Sequence, residues 1–233
     1  MTNTKALRAI SLGAAVAAAL SSGAASAEIS ANASIYSNYI WRGVTQTNDQ
    51  AAGQGGIDWS GGPGLYAGTW VSNVQFPSQD AGSGEVDFAG GYEMDVYAGW
   101  AGEAGNFGWD LGVITNQYPI DPGTNFTEVY ATGSIVGITA GVWYTVDKAS
   151  GITDPDGKDD DIYLFGAYDF TAADIDYSIY IGNYSIDADP NADYTHYGAS
   201  IGKDGFSFAV DKNDIEGGSA DTVRFTVGYS GDF

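Results

Sequence analysis

The sequence has 233 residues, with eight basic and 30 acidic side chains and no cysteine. An acidic excess of this size excludes nucleic acid as a partner, because such binding neutralises phosphates with Lys and Arg. It attracts cations instead, and the missing cysteines exclude a disulfide scaffold. The 34 glycines would suit a disordered chain, but a 14% aromatic content argues against one.

The first element is a leader. Lys5 and Arg8 precede an apolar run over 9–20, and Ala25-Ser26-Ala27 forms an A-x-A cleavage pattern. This predicts a secretory signal peptide over 1–27, cut before Glu28. The run is short of the ~20 residues a spanning helix needs. Residues 28–233 then carry six basic and 30 acidic side chains, a net charge of −24.

From Glu28 onward the chain reads in period two. Val86, Phe88, Tyr92, Met94, Val96 and Trp100 alternate with Glu85, Asp87, Glu93 and Asp95. The last segment places Val223, Phe225, Val227, Tyr229 and Phe233 on one face, with Thr222, Arg224, Thr226 and Asp232 on the other. Alternation this long is incompatible with the 3.6-residue period of a helix. Twelve strands are predicted, within a range of 10–14, at 28–42, 50–59, 64–75, 85–100, 106–116, 125–136, 138–146, 161–170, 174–184, 194–202, 205–211 and 221–233. Most reach the ~9–11 residues of a tilted transmembrane strand.

The connections alternate in length. Long ones (43–49, 76–84, 117–124, 147–160, 185–193, 212–220) alternate with short ones (60–63, 101–105, 137, 171–173, 203–204). Short periplasmic turns and longer external loops are the pattern of outer-membrane barrels. A membrane forbids unpaired sheet edges, so the strands must close. The expected fold is all-β: residues 28–233 form a single closed antiparallel transmembrane barrel.

Ser37-Asn38-Tyr39-Ile40-Trp41-Arg42-Gly43-Val44-Thr45-Gln46-Thr47 opens a run continued by Gln54-Gly55-Gly56-Ile57-Asp58 and Gly64-Leu65-Tyr66-Ala67-Gly68-Thr69-Trp70. Together with Glu85-Val86-Asp87, Gly90-Gly91-Tyr92 and Asn125-Phe126-Thr127-Glu128-Val129-Tyr130, it resembles a proteobacterial family of porins often labelled TorF. The resemblance spans residues 28–233 and implies an outer-membrane barrel, with no catalytic residues and no assigned substrate. Tyr229 and Phe233 are similar to the terminal signal read by the outer-membrane assembly machinery.

Face and direction then assign a lumen. Arg42 and Arg224 are expected side by side near the outer mouth, on the neighbouring first and last strands. Glu85, Asp87, Glu128 and Asp161 should face them, forming a constriction with a transverse field. Glu93 and Asp95 are expected deeper, towards the periplasmic half, with Asp58, Asp110, Asp174 and Asp176. So many carboxylates require hydration, protonation or cations. Trp59, Trp100, Trp109, Trp143, Tyr39 and Trp41 fall near predicted strand ends and read as interfacial belts.

The acidic run 154–161 suits a solvated external loop. Calcium at Asp154, Asp156 and Asp159 is the weaker alternative, since the twelve-residue ligand pattern is incomplete. No other cofactor is expected. His196, the one histidine, has Ser200 four residues on, too far along a strand for nucleophilic catalysis, so no enzyme is expected. The function read from the sequence is a porin-like channel for passive diffusion of small solutes, cation-preferring through an acidic lumen. Its surroundings would be outer-membrane lipid and lipopolysaccharide. The alternative is a non-conducting barrel with a structural or partner-binding role through its external loops.

Overall fold

The computed structural model of the protein describes residues 27–79, 86–149, 160–187, 192–216 and 221–233. In chain order the strands are β1 (Glu28–Tyr36), β2 (Ile40–Trp41), β3 (Val44–Thr45), β4 (Ala52–Gly61), β5 (Leu65–Gln79), β6 (Val86–Ala104) and β7 (Phe107–Gln117). A single 3-10 turn (Pro122–Thr124) precedes β8 (Phe126–Ile135), β9 (Ile138–Lys148), β10 (Ile162–Ala172), β11 (Ile175–Ser185), β12 (Tyr194–Lys203), β13 (Phe206–Asn213) and β14 (Arg224–Asp232). Twelve of these strands pair antiparallel with their chain neighbours. β14 returns to β1 and closes the barrel, with Asn32 opposite Asp232 and Tyr36 opposite Gly228. β2 and β3 form a separate two-stranded hairpin.

Turn chemistry sets the short end. Val136-Gly137, Ala173-Asp174 and Asp204-Gly205 each place two consecutive residues at positive φ. That is the two-residue turn whose twist matches the flanking strands. Asp174, expected on the lumen wall, therefore lies in one of these turns and is exposed.

Alternation sorts the side chains as the period-two pattern requires. On β14, Phe225 (63% exposed) and Val227 (56%) point out of the barrel, while Arg224 (5%) and Thr226 (4%) point in. The outward face of the wall is apolar and has no protein layer on it, as a hydrocarbon solvent demands. On the inner face, large rings lie opposite glycines across strand pairs: Tyr66 opposite Gly99, Tyr97 opposite Gly68, Tyr130 opposite Gly112 and Tyr180 opposite Gly198. A Cβ on any of these glycines would collide with the facing phenol. The glycines thus give each tyrosine room to lie against the wall.

Two departures from the expected layout matter for the lumen. The first strand ends at Tyr36 rather than at Arg42, and the chain from 37 to 51 leaves the wall. The second concerns β5 and β6, which pair from Leu65–Trp100 as far as Gln79–Val86, whereas β6 meets β7 only from Met94–Gln117 onward. The β5–β6 ribbon therefore stands taller than its neighbour at the long-loop end.

If the outward face meets lipid, a charge placed there is costly by ~2–4 kcal/mol near the bilayer midplane. Val227→Arg is expected to lower the unfolding free energy of the barrel refolded into lipid vesicles by about that amount. Guanidinium titration followed by tryptophan fluorescence measures it.

Candidate functional site

Segment 37–51 folds into the barrel from the long-loop end. Its root is tied to β14 by Ser37, whose N–H donates to the Val227 carbonyl (2.8 Å) and whose hydroxyl accepts from the Val227 N–H (3.0 Å). Ile40 and Trp41 pair with Thr45 and Val44, and Arg42-Gly43 forms the tip with φ of 47° and 79°. The hairpin is internally braced. The Gln46 N–H donates to the Tyr39 carbonyl (2.7 Å), and the Tyr39 N–H to the Thr47 hydroxyl (3.2 Å). The Thr45 hydroxyl donates to Asn38 Oδ1 (2.7 Å). Asn, Ser and Thr compete with a β-ladder by making such local bonds, which is why this polar stretch departs from the wall.

The hairpin then engages the wall nearly all the way round. The Tyr39 hydroxyl donates to Glu93 on β6 (2.9 Å), and its ring meets Trp70 on β5 edge-on at 5.5 Å. The Gln75 N–H of β5 donates to the Gln46 carbonyl (2.8 Å). Arg42 forms a two-pronged ion pair with Glu128 on β8, at 2.9 and 2.6 Å. Its guanidinium lies 4.2 Å from the centres of the Trp41 and Tyr163 rings and 4.8 Å from that of Tyr184. Asn213 on β13 donates to the Gly43 carbonyl (2.7 Å), and Gly43 packs on His196 of β12 so closely that no Cβ would fit. At the far end Asp49 accepts from Arg224 of β14 (2.8 Å) and from Asn38 (2.7 Å).

This arrangement changes the expected roles of several residues. Arg42 and Arg224 do not stand together on one wall. Arg42 sits on the hairpin tip and reaches Glu128 across the interior, while Arg224 holds the hairpin's base. Arg42, Arg224, Glu128 and Asp161 are all buried in the lumen, at 2–6% exposure. Asp161 lies just before β10 and takes Lys148 as its partner at 2.7 Å. Glu93 and Asp95, expected in the periplasmic half, are buried at the level of the hairpin. Glu93 stands beyond the last β6–β7 pair, on the tall ribbon. Asp87 belongs to β6, where its backbone pairs with Ser78. Glu85 and the proposed calcium ligands Asp154, Asp156 and Asp159 lie outside the described residues. Among the described residues, no cluster of three or more His, Asp or Glu side chains could hold a metal.

Tyr39, Trp41 and Trp143 are interior residues rather than belt residues. Trp143 stacks on Tyr130 at 5.8 Å with an interplanar angle of 24°. Trp100 and Trp109 stay outside and meet edge to face at 4.4 Å. His196 is buried, stacked on Tyr163, with Nε2 2.7 Å from the Tyr163 hydroxyl. It serves as a floor for the hairpin tip.

Below the hairpin, towards the short turns, phenols hold carboxylates. Tyr66 donates to Asp110 (2.6 Å) and also meets Tyr130; Tyr97 donates to Asp58. On the opposite side Tyr180 donates to Asp211 (2.6 Å). The residues that sequence reasoning missed are these lumen tyrosines and the clamp formed by Tyr39, His196 and Asn213. Their only sequence signal was a tyrosine-rich composition with glycines inside strands.

Residues 20–230 match the family model described as a bacterial protein of unknown function (Gcw_chp). The chain belongs to this family. No curated protein matches the sequence. Among solved structures, a KdgM porin superposes with a TM-score of 0.54 at 11% identity, covering 86% of this chain and 97% of that one. A KdgM porin in complex with disordered oligogalacturonate gives a TM-score of 0.51 at 11% identity, covering 88% of this chain and 98% of the other. At these identities the likeness is one of fold: this member of the Gcw_chp family is built as a closed, porin-like barrel.

Removing one partner of a buried pair strands the other charge, at a cost of ~3–5 kcal/mol. Arg42→Ala is expected to destabilise the folded protein by about that much. Adding Glu128→Gln should recover part of the loss, as a double-mutant cycle of denaturant unfolding would report. Gly43→Ala is expected to undock the tip without unfolding the wall. Limited proteolysis at 37–51 should accelerate while heat-modifiable migration on gels persists.

Proposed function

We propose that the protein is an outer-membrane channel through which small solutes pass by diffusion, with a bore set by segment 37–51 and a preference for cations. The observation that carries this reading is the composition of the buried lumen at the hairpin. Among the described residues, five buried carboxylates (Glu93, Asp95, Glu128, Asp161 and Asp211) stand with three buried cations (Arg42, Lys148 and Arg224). Arg42 is spent on Glu128, Lys148 on Asp161 and Arg224 on Asp49. Among the described residues, no ion pair is shown for Glu93 or Asp95, and rings of side-chain charge are how narrow pores select ions. The secretory leader over 1–27, the similarity of the opening motif to TorF porins and the terminal Tyr229–Phe233 signal support export and insertion in the outer membrane. There the short turns face the periplasm and the hairpin guards the external mouth.

A second reading is favoured by the number of strands the hairpin touches. A clamp on β5, β6, β8, β12, β13 and β14 would also suit a closed barrel with a structural role. The two differ in conductance. In planar bilayers under a salt gradient, the protein is expected to conduct and to give a cation-selective reversal potential. Glu93→Gln with Asp95→Asn should move that potential towards zero. Deletion of 39–46 should raise single-channel conductance several-fold. A reconstituted protein that never conducts, in either form, would sink the channel.

A further inference from the structure

Among the described residues, the lumen holds a recess beside the hairpin whose chemistry the pore reading leaves unused. Between the infolded segment and the long-loop ends of β8, β9 and β11 lies a cavity of about 280 Å³. That is just below the ~300–1,000 Å³ of pockets for small organic ligands, room for one ring or a little more. Its walls are mostly rings. Trp41 meets Tyr184 edge-on (85°) and Phe126 at 60°, and across the space Phe76 meets Tyr118 at 68°. The polar groups are few and grouped on one side. Lys148 donates to Asp161 at 2.7 Å, and both side chains are buried. Asp161 also accepts from the Tyr184 hydroxyl (3.3 Å) and from the Asp187 N–H (2.9 Å). An ammonium has three donors, and Asp161 is the one hydrogen-bond acceptor shown for Lys148 among the described residues.

Charge decides what such a space can hold. An organic cation would suit an aromatic box. Here, however, the Trp41 and Tyr184 rings already carry the Arg42 guanidinium, and Lys148 lines the same cavity. A second cation would be repelled by both. An anion could accept from Lys148 only beside the Asp161 carboxylate, in a lumen whose buried Glu93 and Asp95 add further negative charge. An uncharged ring with hydroxyls at its edge meets neither penalty. Its C–H faces pack on the indole and phenol walls. Its hydroxyls can accept from the spare Lys148 N–H groups and donate to Asp161 and Thr124, which also line the recess.

We propose that this vestibule is a recognition site for an uncharged pyranose. Any role in uptake rests on the channel reading above; binding itself does not, and the two are measured separately. The full-length protein, refolded in detergent micelles, is titrated with glucose, galactose and maltose, and in parallel with glycine betaine and galacturonate. Saturation-transfer NMR and tryptophan fluorescence are the readouts.

At least one neutral sugar is expected to receive saturation on its ring protons, with betaine and galacturonate about ten-fold weaker or absent. Tyr118→Ala should weaken that sugar about ten-fold. Lys148→Met, which keeps the bulk and removes the donors, should do the same. Heat-modifiable migration checks that each variant is folded; Phe126→Leu replaces Tyr118→Ala if the latter is not. No transfer to any neutral sugar, tighter binding of betaine or galacturonate, or sugar binding unchanged in the folded variants would each overturn the site. Conductance without sugar binding rejects the site and keeps the channel. Sugar binding without conductance does the reverse.

Discussion

The ion pair between Arg42 and Glu128 is the contact on which the lumen is organised. Each side chain is almost wholly withdrawn from solvent, at 4% and 3% exposure, and neither charge could remain there without the other. The pair is two-pronged, so it sets orientation as well as distance. Three ring faces around the guanidinium add to its hold, each by ~0.5–2 kcal/mol. Because Arg42 sits at the tip of a turn, this contact fixes the end of segment 37–51 that reaches deepest into the lumen.

The wall is adapted to that occupant. Ring-and-glycine pairs on the inner face let large phenols lie along the wall of the twelve-stranded barrel. A lumen lined by phenols can satisfy carboxylates without matching them with cations, as Tyr66 does for Asp110 and Tyr39 for Glu93. Direct hydrogen bonds partly replace the hydration those acids would otherwise need. The acidic excess of the sequence is thus accommodated in two ways: by ion pairs, as for Glu128 and Asp161, and by phenol hydrogen bonds, as for Glu93 and Asp110.

How far the sequence was legible depended on the range of the physics involved. The period-two pattern located eleven of the strands closely, because burial on one side and lipid on the other impose alternation residue by residue. It failed at strand one, where 37–42 keep a strand-like alternation but spend their polar groups on each other. Asn38, Thr45 and Thr47 were the local warning. It also misplaced Glu93 and Asp95 in height, since a position counted from the strand's outer end ignores how far the β5–β6 ribbon rises above β7.

By itself, the sequence determined a closed barrel of about twelve strands, the inward or outward face of many side chains and an excess of carboxylates. Each follows from short-range alternation, turn chemistry and composition. Which charge meets which was decided only by the tertiary structure. Arg42 and Glu128 are 86 residues apart, and their meeting depends on the curvature of the wall, the stagger of its strands and a polar segment that gains more bonds inside the barrel than along its edge. Those are properties of the closed object, and no window of the chain carries them.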